Sequence, residues 1–142
     1  MKTVRQLLAS KGHSTLSVSP ESTVYDALSV MANHKIGALL VLSNDHLVGI
    51  FSERDYAREV VLKGRASRTT AVAEIMSKQV ITVTPDNTVE DCMNLMSGKR
   101  IRHLPVVENN KVIGILSIGD LVKETIAYQQ FLIQQLETYI QG

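Results

Sequence analysis

Apolar positions along the chain alternate between two periods. Val24, Ala27, Leu28 and Met31 fall at helical spacing, and so do Val89, Cys92, Met93 and Met96. Each helical stretch is followed by two short apolar runs. The first pair is Ala38-Leu39-Leu40-Val41-Leu42 and Leu47-Val48-Gly49-Ile50-Phe51; the second is Leu104-Pro105-Val106-Val107 and Val112-Ile113-Gly114-Ile115-Leu116. Runs of this length read as strands covered on both faces. Asn44-Asp45 and Asn109-Asn110 break each pair as tight turns. Shorter extended runs, 16–18 and 80–83, end at Pro20 and Pro85, and T-x-x-D pairs (Thr23/Asp26 and Thr88/Asp91) start the helices that follow. A further helix is expected from Ser52 and another from Ser117.

The pattern is one unit written twice. Val18-Ser19-Pro20-Glu21-Ser22-Thr23-Val24 is echoed by Val83-Thr84-Pro85-Asp86-Asn87-Thr88-Val89, at an offset of 65 that holds without a gap to Asp55 and Asp120. Thr3–Leu8 resembles Ala71–Met76 at an offset of 68, so the first copy carries about three extra residues, placed as a loop near Gly12-His13-Ser14. Each copy reads as strand, helix, strand, strand, helix. The expected fold class is α/β (α+β): two tandem βαββα repeats related by pseudo-two-fold symmetry, with sheets packed together and clefts lined by equivalent residues. The stretch from about Lys63 to Thr70 reads as a solvated linker.

Composition narrows the function classes. The net charge of +1 gives no footprint for wholesale phosphate-backbone binding, and aromatics at 4% leave few stacking platforms for a nucleic acid. No run approaches the ~18 apolar residues of a membrane span, and the N-terminus does not read as a signal peptide. The expectation is a cytoplasmic protein with no nucleic-acid or membrane partner. The single cysteine, Cys92, aligns with Ala27 on a core-facing position and reads as a packed thiol rather than a nucleophile. His13, His34, His46 and His103 are scattered without ligand spacing, so no metal is called for. There is no P-loop, nucleophile elbow or acid/base pair, and the chain is not expected to be an enzyme.

Candidate chemistry sits where a strand turns into a helix. The first copy reads Gly49-Ile50-Phe51-Ser52-Glu53-Arg54-Asp55, and the second reads Gly114-Ile115-Leu116-Ser117-Ile118-Gly119-Asp120. A strand glycine permits close approach of a ligand or another backbone. Serine at a helix start leaves N–H groups facing outward. An aspartate three residues on is placed to accept from a ribose diol, as acidic residues do in dinucleotide folds. The same S-x-x-D spacing is also a helix cap, and spacing alone does not choose between the two.

The V-x-P-x-x-T-V and G-h-h-S-x-x-D patterns in both copies (h is apolar), with Arg102-His103-Leu104-Pro105-Val106-Val107, resemble a CBS-domain pair, or Bateman module. The resemblance spans Thr3 to about Ile126. It implies repeats at 1–65 and 66–126, with a C-terminal helical extension at 127–142. It also implies an adenosine-containing ligand (AMP, ADP, ATP, NAD or S-adenosylmethionine) and no required metal. Ser52 and Ser117 would then lie near phosphate or ribose, and Asp55 and Asp120 would hold ribose hydroxyls. Ser17, Thr82, Leu39, Leu104 and Pro105 would surround the base, with Met76 also in reach of it.

The copies differ at these positions. Gly37-Ala38-Leu39-Leu40 aligns with Arg102-His103-Leu104-Pro105, and Arg54 with Gly119. Small residues would open the first cleft, while Arg102 and His103 add charge near the second. Unequal clefts are expected, with one preferred site and no sequence signal saying which. Val122, Ile126, Ile133, Leu136 and Ile140 form an apolar stripe on the last helix, interrupted by Gln129. That stripe needs a cover, either its own module or a second subunit, and the homodimer is the favoured expectation. Two functions remain open. One is a regulatory sensor that binds a nucleotide and signals to a separate protein through dimer shape. The other is a dimerisation adapter whose clefts are vestigial.

Overall fold

The computed structural model describes residues 2–141. Its elements run in chain order α1 (Val4–Lys11), β1 (Ser17–Val18), α2 (Val24–His34), β2 (Ala38–Ser43), β3 (His46–Ser52), α3 (Glu53–Asp55), a π-helical turn (Tyr56–Val61), α4 (Val72–Ile75), α5 (Val89–Lys99), β4 (His103–Glu108), β5 (Lys111–Ser117) and α6 (Ile118–Gln141). The fold is mixed α+β, with one three-stranded and one two-stranded sheet.

The chain forms two compact units that are not contiguous in sequence. One contains Thr15–Ile81 with Asn109–Val112; the other contains the first 14 residues, Thr82–Glu108 and Ile113 onward. In the unit built on the first repeat, β1 pairs parallel with β2 and β2 antiparallel with β3. The hairpin turn places Asn44 and Asp45 at φ 51° and 65°, and Asn109 and Asn110 repeat this at 52° and 64°. Positive φ at both central residues is the type I′ requirement, which asparagine and aspartate tolerate best after glycine. The core of this unit is aliphatic around one ring: Val24, Ala27, Met31, Leu39, Val41, Phe51, Val60, Val72 and Ile75.

Each unit takes the leading segment of the other repeat. Thr23 bridges Ala71, Val24 N–H donates to Thr70 at 2.9 Å, and Val72 N–H donates to Ser22 at 2.8 Å. In the second unit Thr3 bridges Thr88, Val89 N–H donates to Lys2 at 3.0 Å, and Val4 N–H donates to Asn87 at 2.8 Å. The segments that matched at the 68-residue offset thus do the same work: their first N–H and C=O groups pair with the start of a helix in the partner repeat. Val4, Leu7 and Leu8 of α1 are buried, as are Val72 and Ile75 of α4.

Two expectations change. The run 80–83 does not form a strand; only Val83 bridges, parallel to Val106. Exposed Thr82 and Thr84 flank it, so too little of the run is buried to extend the ladder. The helix opened by Ser52 passes after three residues into π geometry. At the strand glycines, expected to admit a ligand or another backbone, the close neighbour is the exchanged segment. A Cβ on Gly49 would lie 2.5 Å from Met76 Sδ and 3.0 Å from the Ser77 carbonyl, and one on Gly114 would lie 2.7 Å from Leu8 Cδ2. Their bareness lets the exchanged segment close over the strand.

Candidate functional site: two strand-to-helix corners

At the first corner β3 ends on Ser52, whose register partner on β2 is Ala38. Glu53 N–H donates to the Gly37 carbonyl at 3.1 Å, which gathers Gly37, Ala38, Ser52 and Asp55. Ser52 and Asp55 form a reciprocal capping box. Asp55 N–H donates to Ser52 Oγ at 3.3 Å, and Ser52 N–H and Oγ donate to Asp55 Oδ2 at 2.9 and 3.1 Å. Arg54 is exposed. Ser17 is exposed on β1 opposite Leu40, Met76 lies against Gly49, and Leu39 is fully buried in the core.

The second corner repeats the frame. Ile118 N–H donates to the Arg102 carbonyl at 2.9 Å, Ser117 N–H to Asp120 Oδ2 at 2.8 Å, and Asp120 N–H to Ser117 Oγ at 3.2 Å. Arg102 is exposed and His103 half-buried; Leu104 and Pro105 are buried, and Thr82 is exposed next to the Val83 bridge.

The cap is formed at both corners. Both boxes use Oδ2. Among the described residues, Oδ1 of neither aspartate accepts a hydrogen bond. A carboxylate offers about four lone-pair sites, so the box fixes the rotamer without using all of its acceptor capacity. The sidewise contacts differ. Lys11 Nζ, from α1, lies 2.6 Å from Asp120 Oδ2 and also donates to the Ile115 carbonyl. At the first corner the matching carbonyl, of Ile50, takes the Ser77 backbone N–H at 2.9 Å, and among the described residues no cation bonds Asp55.

The titration of the two acids separates accordingly. Burial raises the Asp55 carboxyl above its ordinary value, only partly offset by the Ser52 hydrogen bonds. Burial also pushes Asp120 up, but the Lys11 and Ser117 hydrogen bonds outweigh it and hold the carboxyl below its ordinary value. Cys92 is buried and its thiol is pushed up to about 11 by desolvation, which suits a packed thiol and not a nucleophile. Among the described residues no cluster of three metal-ligating side chains occurs, and no helix is long and apolar enough to cross a membrane.

Sequence reasoning missed Lys11. The available signal was the Leu8/Met76 match: it places α1 against the strand glycine, and Lys11 follows Leu8 by three residues on the same helical face.

The repeated corner has a counterpart among known proteins. A family model for the CBS domain matches residues 5–62 and again 72–126. The chain belongs to the CBS-domain family. It is 40% identical over 99% of its length to the CBS domain-containing protein CBSX3, mitochondrial, of Arabidopsis thaliana, covering 72% of that protein. Among solved structures it resembles a protein with CBS domains from Burkholderia ambifaria MC40-6, at 48% identity and a TM-score of 0.86, over 89% of this chain and 95% of that one. The CBS domain pair of protein MJ0100, solved in complex with 5′-methylthioadenosine and S-adenosyl-L-methionine, shares the fold at a TM-score of 0.79 and 23% identity, over 90% and 98% of the two chains.

Proposed function

We propose that this CBS pair is a regulatory module that binds an adenosine-containing ligand (AMP, ADP, ATP or NAD) at its two strand-to-helix corners, with no catalytic step. The observation that supports the reading is the twinned aspartate: Asp55 and Asp120 are each locked by a capping box through Oδ2, and among the described residues the other oxygen accepts no hydrogen bond; in this reading that oxygen takes the ribose diol. CBS pairs generally bind adenosine ligands as regulatory modules. Ser52 and Ser117 then sit beside ribose or phosphate. Ser17, Gly37, Ala38, Leu39 and Met76 frame the base side of the first corner, and Thr82, Arg102, His103, Leu104 and Pro105 that of the second.

The signal is a change in the shape of a homodimer, read by a separate protein in the cytoplasm. Support for the dimer comes from α6. Its last turns expose Phe131, Ile133, Leu136, Tyr139 and Ile140 at 53–85% of their surface, on a helix with Leu121 as its one buried residue. An apolar stripe of that length is a poor solvent face and a good self-complementary one. For ligand binding to move the dimer, its affinity must differ between the two shapes. The adapter reading, with vestigial corners, draws on the same boxes used only as caps.

Native mass spectrometry of the chain titrated with AMP, ATP, NAD and S-adenosylmethionine tests both parts. The expected spectrum is a dimer carrying up to two adenosine ligands per chain. A ligand-free mass with every nucleotide would leave the adapter reading, and a monomer throughout would remove the role given to α6.

A further inference from the structure

The two corners are built on one frame but not on one charge. Three aligned positions make the second corner more positive: Lys11 stands where the first has Gln79, Arg102 where it has Gly37, and Ile118 where it has Glu53. Two run the other way, Arg54 against Gly119 and Lys78 against Ser10. Lys11 is the member whose placement is fixed. Its ammonium is tied to Asp120 Oδ2 and to the Ile115 carbonyl, and its side chain keeps 30% of its exposure. An ammonium has three donors. Two are spent on the corner's own carboxylate and strand, and the third is left for an acceptor arriving from solvent. The carboxylate that would take the ribose hydroxyls and the cation that would take a negative group beside the ribose are therefore already in contact. Among the described residues no such cation bonds Asp55.

We propose that Lys11 makes the second corner selective for adenosine ligands with an anionic 5′ substituent, a phosphate, while the first corner does not discriminate by that charge. The inference rests on the adenosine reading of the corners and goes further, assigning the phosphate-bearing ligand to one of them and naming the residue that selects it. The Ser117 capping box holds Asp120 in place without Lys11, and Lys11 offers a charge-assisted hydrogen bond to the phosphate.

Calorimetry with AMP and with adenosine, in the Asp55→Asn background, isolates the second corner. AMP should bind there about tenfold tighter than adenosine, the scale of one charge-assisted hydrogen bond at a part-exposed site. Adding Lys11→Met should abolish that preference by weakening AMP and leaving adenosine within about twofold, whereas Lys11→Arg should keep most of it. In the Asp120→Asn background, AMP and adenosine should bind the remaining corner alike. Equal weakening of both ligands by Lys11→Met would reduce Lys11 to a brace for α1 and overturn the selectivity, as would unchanged AMP binding. Failure of the wild-type chain to bind either ligand would instead overturn the adenosine reading, and this inference with it.

Discussion

The first and second corners share a capping box, a hairpin and a bare strand glycine, yet they are closed from the side by different devices. At the first, the chain after α4 runs on as backbone: Ser77 and Ile50 exchange hydrogen bonds at 2.9 and 3.0 Å, and Met76 lies over Gly49. At the second, α1 continues for two full turns. Leu8 covers Gly114, and the carbonyl of Ile115 is met by the Lys11 side chain. A backbone bridge carries no charge, whereas a lysine does. Duplication kept the frame, and the helix running on to the extra loop residues in the first leader altered the chemistry beside the aspartate.

The largest effect that probes this difference is steric. Alanine at Gly49 meets a sulfur and a backbone oxygen held in a bridge, whereas alanine at Gly114 meets only the methyl ends of Leu8. Overpacking costs about 1–3 kcal/mol. Gly49→Ala is expected at the upper end and Gly114→Ala at the lower, read as urea midpoints at unchanged slope. Equal losses, or the reverse order, would mean that the two closures are equally stiff.

A smaller effect, with opposite signs at the two corners, is the acid titration. Asp120, held below its ordinary value, adds stability that is present above its unfolded pKa and fades as pH falls through its folded one. Asp55, raised by burial, is the converse: its relative stabilisation is complete below the unfolded pKa and is lost as pH rises through the folded one. Carboxyl carbon NMR should show Asp55 titrating above the usual aspartate range and Asp120 below it, and Lys11→Met should move Asp120 upward without moving Asp55. Coincident midpoints would erase the electrostatic half of the comparison.

Much of this architecture was legible in the residues. Apolar periodicity located the helices, Asn-Asp and Asn-Asn located the turns, and the 65-residue echo aligned Asp55 with Asp120. What periodicity could not show was pairing at long range. The exchange of leading segments depends on which helix start Thr3 and Ala71 meet, and no local signal encodes that. The glycines were read as places where a ligand or another backbone comes close, because a missing side chain says only that something approaches; the fold supplies the exchanged segment. Lys11 escaped because it lies outside the gapless alignment, one helical turn beyond the matched segment, where only the fold brings it to Asp120. The spacing S-x-x-D left cap and ribose acceptor as alternatives; the geometry establishes the cap at both corners, and the ribose role is the proposal.

The account stands on the aspartates gripping a sugar, and calorimetry of the Asp55→Ala, Asp120→Ala and doubly substituted chains with AMP measures that most directly. Each single substitution should silence one corner and halve the stoichiometry. The double should abolish binding, with a cooperative melt retained, because the corner boxes cost about 1 kcal/mol each as caps. Undiminished AMP affinity and stoichiometry in the folded double variant would contradict the claim.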